Sequence, residues 1–181
     1  MNRYFTDQSA MKCFASSMRY FLCFCILSIS ASTAANAQVK AIGSFKDWQV
    51  FTQEVDGDLV CFAATAASDK APQDVVHGDV HFFVANWKSG AGKSQPSLKV
   101  GYELRDDLPP EVVIGRERWR MYTAGNEGFL EDKNENSVVR SLKRGTTLRV
   151  EAVSARDTRT AYHFSLSGSS AAIDRAEAAC R

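Results

Sequence analysis

The chain reads as an antiparallel β-sandwich with two short helices, and three observations predict this. Short runs of alternating apolar and polar residues recur from Trp48 to Leu166, separated by Gly-, Pro- and Asn-containing turns. There is no strand–helix–strand rhythm of a parallel sheet and no internal repeat. The final strand runs straight into a short helix ending at Cys180. That cysteine has one distant counterpart, Cys61, with which the fold can close.

The first 37 residues read as a secretory signal that is cleaved. Arg19 supplies the positive charge, Tyr20 to Ile29 the apolar run, and Ala35-Asn36-Ala37 the small-x-small cleavage rule, so the mature chain begins at Gln38. The apolar run is too short to stay in a bilayer, which takes about 20 residues. Met11 and Met18 are alternative starts. Cys23 and Cys25 lie inside the apolar run without the pattern of a lipoprotein cleavage site. Residues 38–181 then form a single domain. Removing Arg3, Lys12, Arg19 and Asp7 takes the formal net charge from +1 to −1. A near-neutral chain gives no electrostatic case for nucleic acid or for an anionic membrane.

Each element follows from local pattern. Gln38 to Ser44 reads as a loose leader. Trp48 to Gln53 is a strand with Trp48, Val50 and Thr52 on one side, and Asp56-Gly57 turns it into Leu59–Thr65. Ser68 to Gly78 is polar and reads as a loop. Val80 to Lys88 is the most apolar strand and the expected centre of the sheet. Leu98, Val100, Tyr102 and Leu104 alternate as a further strand, ended by Pro109-Pro110. Glu111–Ile114, Trp119–Thr123 and Gly128–Leu130 are short strands. Asn134 to Arg144 carries Val138, Val139 and Leu142 at helical spacing, with Asn134 or Asn136 as cap and Gly145 beyond its end. Thr146–Ser154 is a strand with Leu148, Val150 and Ala152 inward.

In the last strand Tyr162, Phe164 and Leu166 point one way. In the helix after it Ile173, Ala176 and Cys180 share a face, so Cys180 looks into the core. Three of the five cysteines precede the cleavage point. The remaining pair, Cys61 and Cys180, in an exported chain reads as a disulfide. The absence of Cys-x-x-Cys argues against a redox role.

Several landmarks resemble the invasion-associated locus B family of exported proteins from Gram-negative bacteria. They are Trp48-x-Val-Phe, Val60-Cys-Phe-Ala63, His77-Gly-x-Val-x-Phe-Phe-Val84 and Pro96-Ser-Leu-x-Val-Gly-Tyr102. Further on come Gly128-Phe-Leu, Ser154-x-Arg-Asp-Thr158, Tyr162-x-Phe-Ser-Leu-x-Gly168 and Ala179-Cys180. The resemblance runs from about Phe45 to Cys180. It implies an immunoglobulin-like sandwich, residence in the periplasm, at the outer membrane or outside the cell, and a link to host-cell invasion or stress survival. It carries over no catalytic residue. Many members have a cysteine four residues after the opening Trp; here that position is Thr52, which leaves Cys61 with Cys180.

The chemistry-bearing residues are sparse. His77 and His81 are four apart but not on a helix, and His163 is on a strand, so no metal site is expected. No serine lies in Gly-x-Ser-x-Gly. Asp106-Asp107 and Glu131-Asp132 are loop carboxylates. Gly90-Ala-Gly-Lys-Ser94 lacks phosphate-loop spacing. Arg116, Arg118 and Arg120 alternate along one strand face and, with Lys143 and Arg144 nearby, offer a cationic ladder to an acidic partner. The competing account is an edge kept soluble by charge.

The expectation is therefore a non-enzymatic envelope or periplasmic protein without cofactor or metal. Its partner is an envelope or host protein, and it has no stable membrane insertion after cleavage. The alternatives are a hydrolase acting on an envelope component and an adhesin that meets host cells directly. A cleft of convergent His and carboxylate groups would favour the enzyme, and a flat face with an exposed apolar patch would favour binding.

Overall fold

The computed structural model describes residues 38–181; the signal expected over residues 1–37 lies outside the described residues. Eleven strands and two helices follow one another as β1 (Lys40–Phe45), β2 (Trp48–Val55), β3 (Asp58–Ala66), β4 (Asp69–Ala71), β5 (His81–Trp87) and β6 (Gln95–Lys99). After these come β7 (Glu111–Ile114), β8 (Glu117–Ala124), β9 (Glu127–Leu130), α1 (Asp132–Arg144), β10 (Thr147–Val153), β11 (Arg159–Ser165) and α2 (Ser169–Ala179). Every pairing is antiparallel, in the order β1-β2-β3-β5-β6-β9-β8-β7-β10-β11-β4. The all-β class with two helices, one of them C-terminal, is what the alternating pattern predicts.

Strand β8 joins two layers. Its second half, Met121–Ala124, pairs with β9, and its first half, Glu117–Arg120, pairs with β7. The first layer runs from β1 to β8 through β2, β3, β5, β6 and β9. The second holds β8, β7, β10, β11 and β4. Strand β3 passes through Ala67-Ser68 into β4, which pairs with β11, so the chain changes layer there as well. Between the layers lie Trp48, Val50, Phe82, Val84, Leu98, Leu130, Leu148, Val150, Tyr162 and Phe164, all fully buried. Trp48 also links the layers directly, its Nε1 donating to the Ser165 carbonyl at 2.9 Å.

Both helices pack on this inner side. Helix α2 buries Ala172, Ile173 and Ala176, and its Ser169 hydroxyl donates to the Leu142 carbonyl of α1 at 2.8 Å. Helix α1 buries Val138, Val139 and Leu142, and Trp119 Nε1 donates to Ser137 Oγ at 3.1 Å. The Cys61–Cys180 disulfide is formed, with Cα atoms 5.8 Å apart, and ties the end of α2 to β3.

Four local expectations are corrected. Lys40–Phe45 is not a leader but an edge strand: Lys46, at φ 53°, turns it back onto β2, and Ile42 and Phe45 pack against the core. The loop after Ser68 contains β4. Helix α1 starts at Asp132, behind Glu131, with no side-chain cap bond from Asn134 or Asn136. Gly145 does follow the helix, though in extended conformation.

The fourth correction concerns Leu98–Leu104. The sheet strand stops at Lys99. Gly101 N donates to the His77 carbonyl at 3.2 Å, and a side chain there would stand 2.6 Å from that oxygen, so backbone contact replaces the ladder. Val100 and Leu104 remain buried.

Candidate partner-binding surface

In β3 and β5 most outward positions are also apolar, and on β2 Phe51 joins them between Gln49 and Gln53, which an ordinary solvated sheet face does not show. Phe51 on β2 faces Phe62 on β3, with ring centroids 5.4 Å apart and the rings stacked. Phe62 meets Phe83 of β5 edge-on at 5.9 Å. Phe83 is paired across the ladder with Ser97, Ser97 with Phe129, and Phe129 with Tyr122. The Tyr122 and Phe129 rings stack at 5.7 Å.

A row of five aromatic rings thus crosses the outward face of the first layer, broken only at Ser97. Four of the rings are half-buried, and Tyr122 is 50% exposed. A groove at the other end of the row is lined by Val39, Gln49, Phe51, Phe62, His81 and Phe83, among others. Helix α2 cannot cover this face, because its disulfide partner Cys61 alternates with Phe62 and points inward.

The predicted ladder adjoins this row. Arg118, Arg120 and Tyr122 alternate with Trp119 and Met121 on β8, so the ladder and the last ring share one side of one strand. Arg118 donates to Glu111 at 2.7 Å. Arg120 makes no ion pair among the described residues. It lines a cleft of about 600 Å³ on the second layer, with Arg149, Arg159, Glu111, Glu151 and the exposed Leu108. Arg149 is engaged by Glu151 at 3.0 Å, whereas Arg159, like Arg120, is unpaired among the described residues. Arg116 separates from the other two: it sits in the turn before β8 and lines a groove against α1.

The histidines do not converge. His77 is buried, its Nε2 lies 2.7 Å from the Pro72 carbonyl and its Nδ1 3.0 Å from the Tyr162 hydroxyl. A carbonyl only accepts, so Nε2 carries a proton, and in a neutral ring Nδ1 accepts from Tyr162. The Tyr162 hydroxyl is 2.8 Å from that of Tyr102, which is 2.6 Å from Thr160 Oγ1. Burial pushes both tyrosine hydroxyls above their ordinary pKa, so they remain neutral. This chain of polar groups is satisfied internally and joins the loop before β5 to β11. His163 pairs with Asp69 at 3.1 Å on the outer face of the second layer. The cleft beside His77 contains one carboxylate, Glu103, but both His77 nitrogens are already engaged. Among the described residues no group of three or more His, Cys, Asp or Glu is placed to hold a metal ion.

The family model described as Invasion associated locus B (IalB) protein matches residues 48–177. The chain belongs to the invasion-associated locus B family. Comparison with curated proteins and with solved structures finds no match. The matched span runs from Trp48, the first core residue of β2, to Glu177 in the last turn of α2. It therefore takes in both layers, both helices and Cys61, while β1 precedes it. Among the described residues no helix is long and apolar enough to cross a membrane, which says nothing about strands.

The aromatic row of this family member is absent from the site residues predicted by sequence. Its signal was available: Val60-Cys-Phe-Ala-Ala and His81-Phe-Phe-Val-Ala are apolar at both parities. That pattern reads equally as a strand buried on both faces.

Proposed function

We propose that this protein is an exported, non-enzymatic binding protein of the cell envelope, made with a cleaved signal over residues 1–37. Its partner is a protein that presents an apolar face beside carboxylates. One observation carries the reading: the aromatic row runs without interruption of side into the ladder of Arg118 and Arg120. Aromatic and arginine side chains are the residues enriched at the energetic centres of protein interfaces. Large apolar patches on a soluble face mark interaction sites. The unpaired Arg120 selects acidic surroundings in the partner, and the ladder's charge favours association rate and orientation more than affinity. Family membership and the disulfide support an exported setting. The binding serves host-cell invasion or stress survival in this reading, and the name of the matching family, invasion associated locus B, supports the first of these.

The test is crosslinking in the native host with the tagged protein, its Tyr122→Asp variant and its Arg120→Glu variant. Both positions are exposed, so each variant is expected to fold, Arg120→Glu with unchanged thermal stability and Tyr122→Asp with a loss of about 1 kcal/mol from the Phe129 stack. The expected result is a reproducible partner whose capture is lost with either substitution. Capture unaffected by both, or no partner at all, overturns the reading.

A further inference from the structure

We propose that the groove between the last turns of α1 and the β7–β8 turn binds a phosphate group. This site is distinct from the aromatic row and goes beyond the binding reading above. The groove holds about 520 Å³ and is lined by Arg116, Arg140 and Arg144, with Thr146 and Thr147 at its end. None of the three arginines makes an ion pair or a side-chain hydrogen bond among the described residues. The rest of the wall is already spent. Glu117, its one carboxylate, receives the Ser141 hydroxyl, and Ser137 is held between Trp119 and the Asn134 carbonyl.

The simplest competing account is that basic residues complement the negative end of α1. Lys143 and Arg144 do lie in its last turn. But a helix end amounts to roughly half an elementary charge, and Lys143 is turned away onto Asp174 at 2.6 Å. Arg140 and Arg144 are also four apart on the helix, a like-charge spacing that opposes helix formation. Arg116 comes from another element, across the groove, and adds a third positive charge. Three guanidiniums around a single carboxylate leave a local excess of positive charge that a multiply charged anion matches better than monovalent counterions do. Guanidinium forks match the oxygens of a tetrahedral phosphate two at a time, and threonine hydroxyls supply further donors.

A free phosphate and a lipid-borne phosphate present the same chemistry, and two arms separate them. Calorimetric titration of the purified protein with inorganic phosphate at constant ionic strength reports the free form. Sedimentation with phosphatidylcholine vesicles, with and without phosphatidic acid, reports the lipid form. The expected result is binding in at least one arm. Arg140→Gln/Arg144→Gln is expected to weaken it about tenfold or more, as loss of charge-assisted bonds does. Arg116→Gln, which leaves the helix untouched, has the same direction, and Arg175→Gln on α2 has no effect. Phosphate binding without vesicle gain assigns a soluble ligand, and vesicle binding alone assigns a headgroup. No binding in either arm overturns the proposal, as does binding that survives both groove variants.

Discussion

The Cys61–Cys180 disulfide should stabilise this fold chiefly by restricting its unfolded state, and the size of the effect can be worked out. The two cysteines are 119 residues apart in sequence. The chain-entropy model gives about 5 kcal/mol for a loop of that length. Two features reduce the yield. Unfolded chains are already partly compact, and α2 keeps its own anchors when the bond is absent, through buried Ala172, Ile173 and Ala176 and the Ser169–Leu142 hydrogen bond. The expected loss for Cys61→Ala/Cys180→Ala is therefore about 3–4 kcal/mol. That corresponds to roughly 10 °C in melting temperature for a domain of this size. The assay is urea denaturation of wild type and variant, read for midpoint and slope. Because the unlinked chain expands more on unfolding, the slope should rise as the midpoint falls. Intact mass should show the wild type two hydrogens lighter than its reduced form. A variant within about 1 kcal/mol of wild type, with an unchanged slope, would refute the reasoning. So would two free thiols in the wild type.

Three further outcomes follow from the core and its edges. Tyr162→Phe strips the hydroxyl between His77 and Tyr102 and should cost about 1–3 kcal/mol in chemical denaturation; no loss would show that the buried chain His77–Tyr162–Tyr102 contributes nothing. Gly168→Ala forces a side chain into φ 93° and onto the Phe45 carbonyl oxygen, so it should cost at least about 2 kcal/mol. Gly90→Ala, at φ 84° with nothing within 4 Å, should cost about 1 kcal/mol, and equal losses at the two sites would remove the backbone contact from the account. Glu135 has its carboxyl raised above the ordinary pKa, first by burial and then by Asp132, with Gln95 opposing. A raised carboxyl favours folding while protonated, and that contribution is lost as pH rises through the folded-state pKa. Glu135→Gln should therefore be more stable than wild type at neutral pH, with the gain vanishing below about pH 4; a gain independent of pH would rule out the carboxyl as its source.

How much of this molecule could be read from its sequence depends on what alternation reports. Period two states which way a side chain points, and wherever one face is packed and the other wet it suffices. Tyr162, Phe164 and Leu166 fall between the layers as the pattern requires, and Cys180 reaches Cys61 because Ile173 and Ala176 fix the helix face. Alternation fails where another contact fixes the chain. Val100 and Leu104 alternate and are buried, but Gly101 rests on the His77 backbone instead of a neighbouring strand. Lys40–Phe45 alternates poorly, with a register shift between Ala41 and Gly43, yet pairs because the turn at Lys46 lays it along β2.

The ladder shows the same limit in a functional setting. Three arginines at spacing two predict one shared face, but Arg116 belongs to the turn, where the strand period no longer applies, and it opens onto α1. Period two also cannot say what lies opposite an apolar face. His81-Phe-Phe-Val-Ala is as apolar outward as inward, and a central strand beneath a second layer would look the same. Here the outward rings have neither helix packed on them, since both helices are held on the inner side by Cys61 and by Trp119. Two-faced apolarity on β3 and β5 therefore has a physical cost in water that a partner surface would relieve. That cost, more than the charge of the ladder, is the reason to look for the partner on the first layer.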